Sequence, residues 1–143
     1  IESLCVELSA HRDLEIRFRK HGFPAVLPEE VTLCVFRIAQ ESLHNVVKHS
    51  GASAAQVVVT KTTNAVDLRI SDNGIGFDVE QVKRKKRLGL ISIKERLRLV
   101  GGRVSIRSRP HQGTEIDVSI PLAPANVKRL VNDSSNRTDF SGV

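Results

Sequence analysis

Five short runs in this chain alternate apolar and polar residues, and two longer stretches carry helical periodicity. The two kinds of segment do not follow one another in a strict strand–helix–strand rhythm, and that ordering constrains the fold most. LEIRFRK (14–20), AAQVVVTKT (54–62), AVDLRISD (65–72), RVSIRSRP (103–110) and GTEIDVSIPL (113–122) read as strands. A short amphipathic pattern over residues 1–11 precedes them. One long helix is predicted from Pro28 through the run EEVTLCVFRIAQESLHNVVKHS. Proline suits its first position, Glu29 and Glu30 meet the positive end of its dipole, and Gly51 terminates it. The other, LGLISIKERLRLVGG (88–102), is closed by Gly101 and Gly102. The expected class is α+β, with helices packed on one face of a mixed, mostly antiparallel sheet. One domain over residues 1–122 accommodates all of this. From Ala123 the pattern dissolves, and NDSSNRTDFSG belongs to a disordered tail or a leftover flank at 123–143.

Composition narrows the function. Five Phe with no Trp or Tyr argue against aromatic platforms for single-stranded nucleic acid. A net charge of +6 suits a polyanionic ligand. Cys5 and Cys34 have no metal spacing, and Cys34, inside an apolar helical pattern, reads as a buried reduced thiol. No apolar run is long enough for a membrane span within the chain, and a start at Ile1 reads as a piece of something longer. A cytoplasmic location is expected.

The loop DNGIGFD (72–78) closes the third strand-like run. An Asn-Gly hairpin turn explains Gly74 but neither Gly76 nor the leading carboxylate of Asp72. A carboxylate that accepts from an exocyclic amine, with two glycines that let backbone approach a flat base, explains all three. On the first long helix, Arg37, Glu41, His44, Asn45 and Lys48 fall within roughly a 100° arc. Most exposed helix faces look alike, yet Asn45 is an uncommon choice for a helix interior. A carboxylate, an amide oxygen and an ammonium there suit a hydrated Mg²⁺ and a phosphate chain.

In order along the chain, RIAQESLHNVVKHSGA resembles the N-box of sensor histidine kinases, DNGIGFD the first glycine box, LGLISIKERLRLVGG the second, and GTEIDVSIPL the closing strand. Over about residues 27–122 the chain resembles the ATP-binding catalytic domain of the nitrate/nitrite-sensor type of two-component kinases, in the GHKL superfamily. The resemblance implies a Bergerat sandwich that binds ATP and Mg²⁺. It makes Asn45 the magnesium ligand and Glu41 the acidic catalytic residue one turn earlier. It sets Lys48 and His49 near the phosphates, Asp72 on the adenine amine, and Gly74 and Gly76 beside the base. Residues 78–88 match the ATP lid, Gly89 and Leu90 the hinge after it, and Thr114 the hydroxyl near the adenine-reading aspartate. Ser92 stands where a second-box glycine is common.

A histidine kinase also needs a phosphoacceptor. His11 is rejected, because it precedes a strand-like run and its Asp comes one position late. The implied partners are therefore a separate dimerisation and phosphoacceptor domain and, downstream, a response regulator. Neither nucleic acid nor, within this piece, a membrane is expected. The basic run KRKKR (83–87) reads either as a solvated loop or as lid cations that reach the triphosphate. A stand-alone serine kinase of the anti-sigma type shares the nucleotide boxes and is the alternative.

Overall fold

A computed structural model describes residues 1–10, 13–23, 26–84 and 88–122 of the chain. His11, the last three residues of the basic run and the 123–143 segment lie outside the described residues. Helix α1 (Glu2–Ala10) leads into strand β1 (Glu15–His21). Helix α2 (Glu29–Asn45) follows and continues directly into a π-helical turn, Val46–Ser50. Strands β2 (Ala54–Lys61) and β3 (Ala65–Asp72), helices α3 (Val79–Arg84) and α4 (Leu88–Leu99), and strands β4 (Arg103–Ser108) and β5 (Thr114–Pro121) complete the order.

The five strands form one sheet in the order β1-β2-β3-β5-β4. Only β1 and β2 are parallel; the other pairs are antiparallel. Parallel neighbours need a crossover, and α2 supplies it. The strand, helix and strand read at 14–20, 28–50 and 54–62 thus form one crossover unit, while the remaining strand pairs are antiparallel. The predicted class holds: α+β, a mixed and mostly antiparallel sheet. Alternation along each strand puts one row of side chains inward. Val57, Val66, Leu68 and Ile120 are buried against Ile38 and Leu43 of α2 and Ile93 and Leu97 of α4 in one core. Cys5 and Cys34 are free and lie in that core, where burial raises both thiol pKa values. On the opposite face, Arg107 bridges Glu115 and Asp117, and Arg69 also reaches Asp117. These pairs are solvated and contribute little to stability.

Strand β3 lies in the middle of the sheet and delivers Asp72 to its end. One addition to the sequence reading concerns residues 78–88, which match the ATP lid and for which no helix is read from the sequence. The Asp78 carboxylate accepts from the N–H groups of Glu80 and Gln81, at 2.9 and 3.3 Å, and so starts the short helix α3. An N-capping aspartate outweighs the weak apolar pattern of the segment.

Leu68 on β3 is 1% exposed. Leu68→Ala should lower unfolding stability by about 2–5 kcal/mol through the cavity it leaves. Urea denaturation at equilibrium measures this. A loss well under 1 kcal/mol would show that β3 is not the centre of the core.

Candidate functional site

A cavity of about 250 Å³ opens between α2, the end of β3 and the start of α4. Asn45, His49, Asp72, Gly76, Gly89 and Thr114 all line it, although they come from four separated stretches of the sequence. Ile70, Ile75, Phe77 and Ile116 give it apolar walls. A flat, partly apolar ligand with a few polar edges fits such a lining.

The loop after β3 is held from both sides. On the helix side, the Ile75 N–H donates to the Ser50 carbonyl at 2.8 Å. A Cβ on Gly74 would come within 2.6 Å of the Ser50 Cβ. On the other side, the His111 N–H donates to the Ile75 carbonyl at 2.6 Å, and the Phe77 N–H donates to the Ser108 hydroxyl at 2.9 Å. Gly76 has φ +58°, and a Cβ there would collide with the Arg109 carbonyl oxygen. Each glycine thus admits a protein neighbour, Ser50 for one and the 109–113 turn for the other. This reason stands beside the one offered from the sequence, close approach to a base, and Gly76 does line the cavity. The loop is also no hairpin, since β3 pairs with β2 on one side and β5 on the other. The Asn73 amide instead ties the loop to the start of β2, accepting from the Ser53 and Ala54 N–H groups.

Asp72 is half-buried, and burial raises its pKa. Hydrogen bonds from the Gly74 and Thr114 N–H groups oppose that rise. The first of these is 2.8 Å long. The carboxylate is therefore held in place at the cavity wall with part of its hydration removed.

Gly89 begins α4 against α2. A Cβ there would come within 2.6 Å of Glu41 Oε1 and 3.4 Å of Asn45 Nδ2, so the start of α4 abuts the α2 carboxylate and amide. Glu41 stands beside Gly89 rather than in the cavity lining. Lys48 is exposed and does not line the cavity. The side chains of Leu90 and of the basic run lie outside the described residues.

Sequence reasoning missed Ser42, Ser50 and Ser108. Ser42 lines the cavity, is 1% exposed, and its hydroxyl has no hydrogen-bond partner among the described residues. Nearby hydroxyls on the same helical run, Thr32 and Ser50, donate to the carbonyl four residues back, as helical Ser and Thr commonly do. A buried hydroxyl without a partner is costly, and a polar ligand or water in the cavity would relieve it. The π-helical turn at Val46–Ser50 was also invisible in the sequence. Such turns gather at functional sites.

The donor set suits a nucleotide with its metal. No cluster of three or more His, Cys, Asp or Glu side chains capable of holding a metal exists among the described residues. Mg²⁺ needs none, because it keeps several waters and takes most of its other oxygens from phosphates.

The chain is similar to known proteins over most of its length. The family model described as "Histidine kinase-, DNA gyrase B-, and HSP90-like ATPase" matches residues 30–124. The signal transduction histidine-protein kinase/phosphatase DegS of Brevibacillus brevis is 36% identical over 112 residues, covering 78% of this chain and 29% of that protein. The nitrate/nitrite sensor protein NarX of Escherichia coli strain K12 is 32% identical over 119 residues, covering 83% of this chain and 20% of that protein. The chain thus spans under a third of the length of these relatives. The crystal structure of the ATP-binding domain of PrrB from Mycobacterium tuberculosis superposes with a TM-score of 0.59 at 25% identity, covering 83% of this chain and 88% of that one.

The raised pKa of Asp72 makes a stability prediction with a definite sign. Ionisation is harder in the folded state, so the penalty is absent at low pH, where both states are protonated. It develops as pH rises through the unfolded pKa and is complete above the folded one. Asp72→Asn should therefore raise the melting temperature of the ligand-free protein at neutral pH, and the gain should shrink as pH falls into the ordinary carboxylate range. Thermal melts across that range test it; a variant that melts lower than wild type at neutral pH contradicts the account.

Proposed function

The chain belongs to the family of histidine kinase-, DNA gyrase B- and HSP90-like ATPases, and on that premise we propose that its cavity holds Mg-ATP and presents the γ-phosphate to a histidine on a separate dimerisation domain. The observation that carries the proposal is the convergence of Asn45, Asp72, Gly76, Gly89 and Thr114 on one cavity. Asp72 accepts from the adenine amine, with Thr114 beside it. Gly74 and Gly76 hold the loop that forms the wall. The Asn45 amide oxygen is the protein ligand of the metal, and Glu41, one turn earlier, acts in phosphoryl transfer. Lys48 and His49 stand near the phosphate end, and the Gly89-Leu90 helix start receives phosphate on its N–H groups. Magnesium, when bound, supplies charge neutralisation at the β- and γ-phosphates. The rest of the work is positioning, with the nucleophile brought by another domain.

The onward partner in this reading is a response regulator, and the reaction takes place on the cytoplasmic side, where ATP is found. No helix among the described residues is long and apolar enough to cross a membrane. The alternative, a serine kinase of the anti-sigma type, is less well supported, since the relatives at 32–40% identity are named as histidine kinases or nitrate/nitrite sensors.

Titration calorimetry tests the site. Asp72→Asn should weaken ATP binding roughly ten- to a hundredfold, the loss of a hydrogen bond to a charged partner. Asn45→Ala should fold normally and lose most of the gain in ATP affinity that Mg²⁺ brings. A variant whose affinity still rises with Mg²⁺ as in wild type moves the metal elsewhere.

Radiolabelling tests the reaction. Alone with ATP and Mg²⁺, the chain should take up essentially no covalent phosphate. Mixed with a cognate phosphoacceptor domain, it should label that domain with phosphate that acid removes and base does not. Acid-stable label on a separate protein would favour the serine kinase, and acid-labile label on His11 would show that this histidine is the acceptor.

A further inference from the structure

We propose that Ser108, standing behind the cavity wall, sets its preference between purines by fixing the direction of the Thr114 hydroxyl. The two residues face each other as a cross-strand pair on β4 and β5. The Ser108 hydroxyl meets three partners: the Phe77 N–H at 2.9 Å, the Gly113 carbonyl at 2.9 Å and the Thr114 hydroxyl at 3.0 Å.

A serine hydroxyl has one proton and two lone pairs. The carbonyl of Gly113 can only accept, so the Ser108 proton goes there. The N–H of Phe77 can only donate, so it takes one lone pair. The contact with Thr114 is then a donation from Thr114 into the remaining lone pair. Ser108 is saturated, and Thr114 has used its only proton on Ser108. The Thr114 side chain offers the cavity lone pairs alone.

Asp72, which accepts from the Thr114 N–H, is likewise an acceptor when ionised. Two adjacent acceptors demand a donor opposite them, either an exocyclic amine or a water that the amine holds in place. An oxo oxygen at that position meets two acceptors with no proton between them. The inference rests on the proposed nucleotide site and extends it: a positioning residue outside the cavity lining decides how strongly 6-amino purines are preferred over 6-oxo purines. Without Ser108 the Thr114 proton is free to turn toward the cavity and serve an oxo group.

Titration calorimetry with ATP and ITP, each with equimolar Mg²⁺, is the test, because the two differ in hydrogen-bonding character at the purine 6-position and N1. Wild type should prefer ATP. Ser108→Ala should narrow the ATP-to-ITP affinity ratio about fivefold, mainly through tighter ITP binding, which is the worth of one neutral hydrogen bond. Ser108→Thr, which keeps a hydroxyl, should retain the wild-type ratio. In a Thr114→Val background, Ser108→Ala should no longer change the ratio. Thr114→Val alone should narrow it through weaker ATP binding, and this arm stands even if Ser108→Ala does not fold.

Equal weakening of both nucleotides by Ser108→Ala would mean that Ser108 merely braces the Phe77 loop, and the proposal falls. It falls too if the ratio is unchanged in Thr114→Val, or if Ser108→Ala still alters it in that background. A wild-type protein that binds neither nucleotide, or prefers ITP, overturns the nucleotide reading itself, which is a different failure from an ATP-selective protein indifferent to Ser108.

Discussion

The site depends on the clamping of one seven-residue loop between two backbone surfaces. Residues 72–78 leave the central strand of the sheet and run between the π-helical turn at Ser50 and the β4–β5 turn at 109–113. Ser50 fixes one side through its carbonyl, and Ser108, Arg109 and Gly113 crowd the other. Two glycines are required because two surfaces close on the same loop. The clamp holds Asp72 at the wall of an apolar cavity, where its charge is partly stripped of water and so is selective about what it pairs with. Rigid support behind a recognition residue is what turns a hydrogen bond into discrimination.

Strand alternation and helix periodicity survive into the structure almost segment by segment, because both report one-sided burial that a sheet with helices on one face imposes on each element separately. Val57, Leu68, Ile116 and Ile120 are where the two-residue period puts them. The site was legible where its side chains do unusual things, as with Asn45 in a helix and Asp72 opening a glycine loop. It was illegible where ordinary residues act through backbone contacts. Ser50 and Ser108 are common residues in common contexts, and their importance appears only when chain segments 25 and 31 positions away are packed on them. The π-helical turn and the parallel pairing of β1 with β2 are tertiary outcomes without a local signal. Helix α3 was missed for a different reason, since its cap, Asp78, was read as the close of the glycine loop and the start of the lid rather than as a helix cap.

The net charge of +6 fits the same picture without locating anything. Two arginines on the outer face of the sheet, Arg69 and Arg107, are engaged by Asp117 and Glu115. Among the described residues that line the cavity, Asp72 is the one carboxylate, and a helix start and a metal are further means of meeting a polyanion. In the proposed reading, base recognition falls to the β3–β5 side and phosphate handling to the α2–α4 side. Gly89 lies where the two helices meet.

The central claim is that one clamped cavity, and no other surface, receives the adenine nucleotide. Amide chemical-shift mapping by two-dimensional NMR, with Mg-ATP titrated into the isotopically labelled chain, addresses it most directly. The account predicts the largest shifts at the amides of Asn45, Gly74, Gly76, Gly89 and Thr114, with Arg69 and Arg107 on the outer face nearly unmoved. Saturable shifts centred on the outer face, or none at any nucleotide concentration, would contradict it.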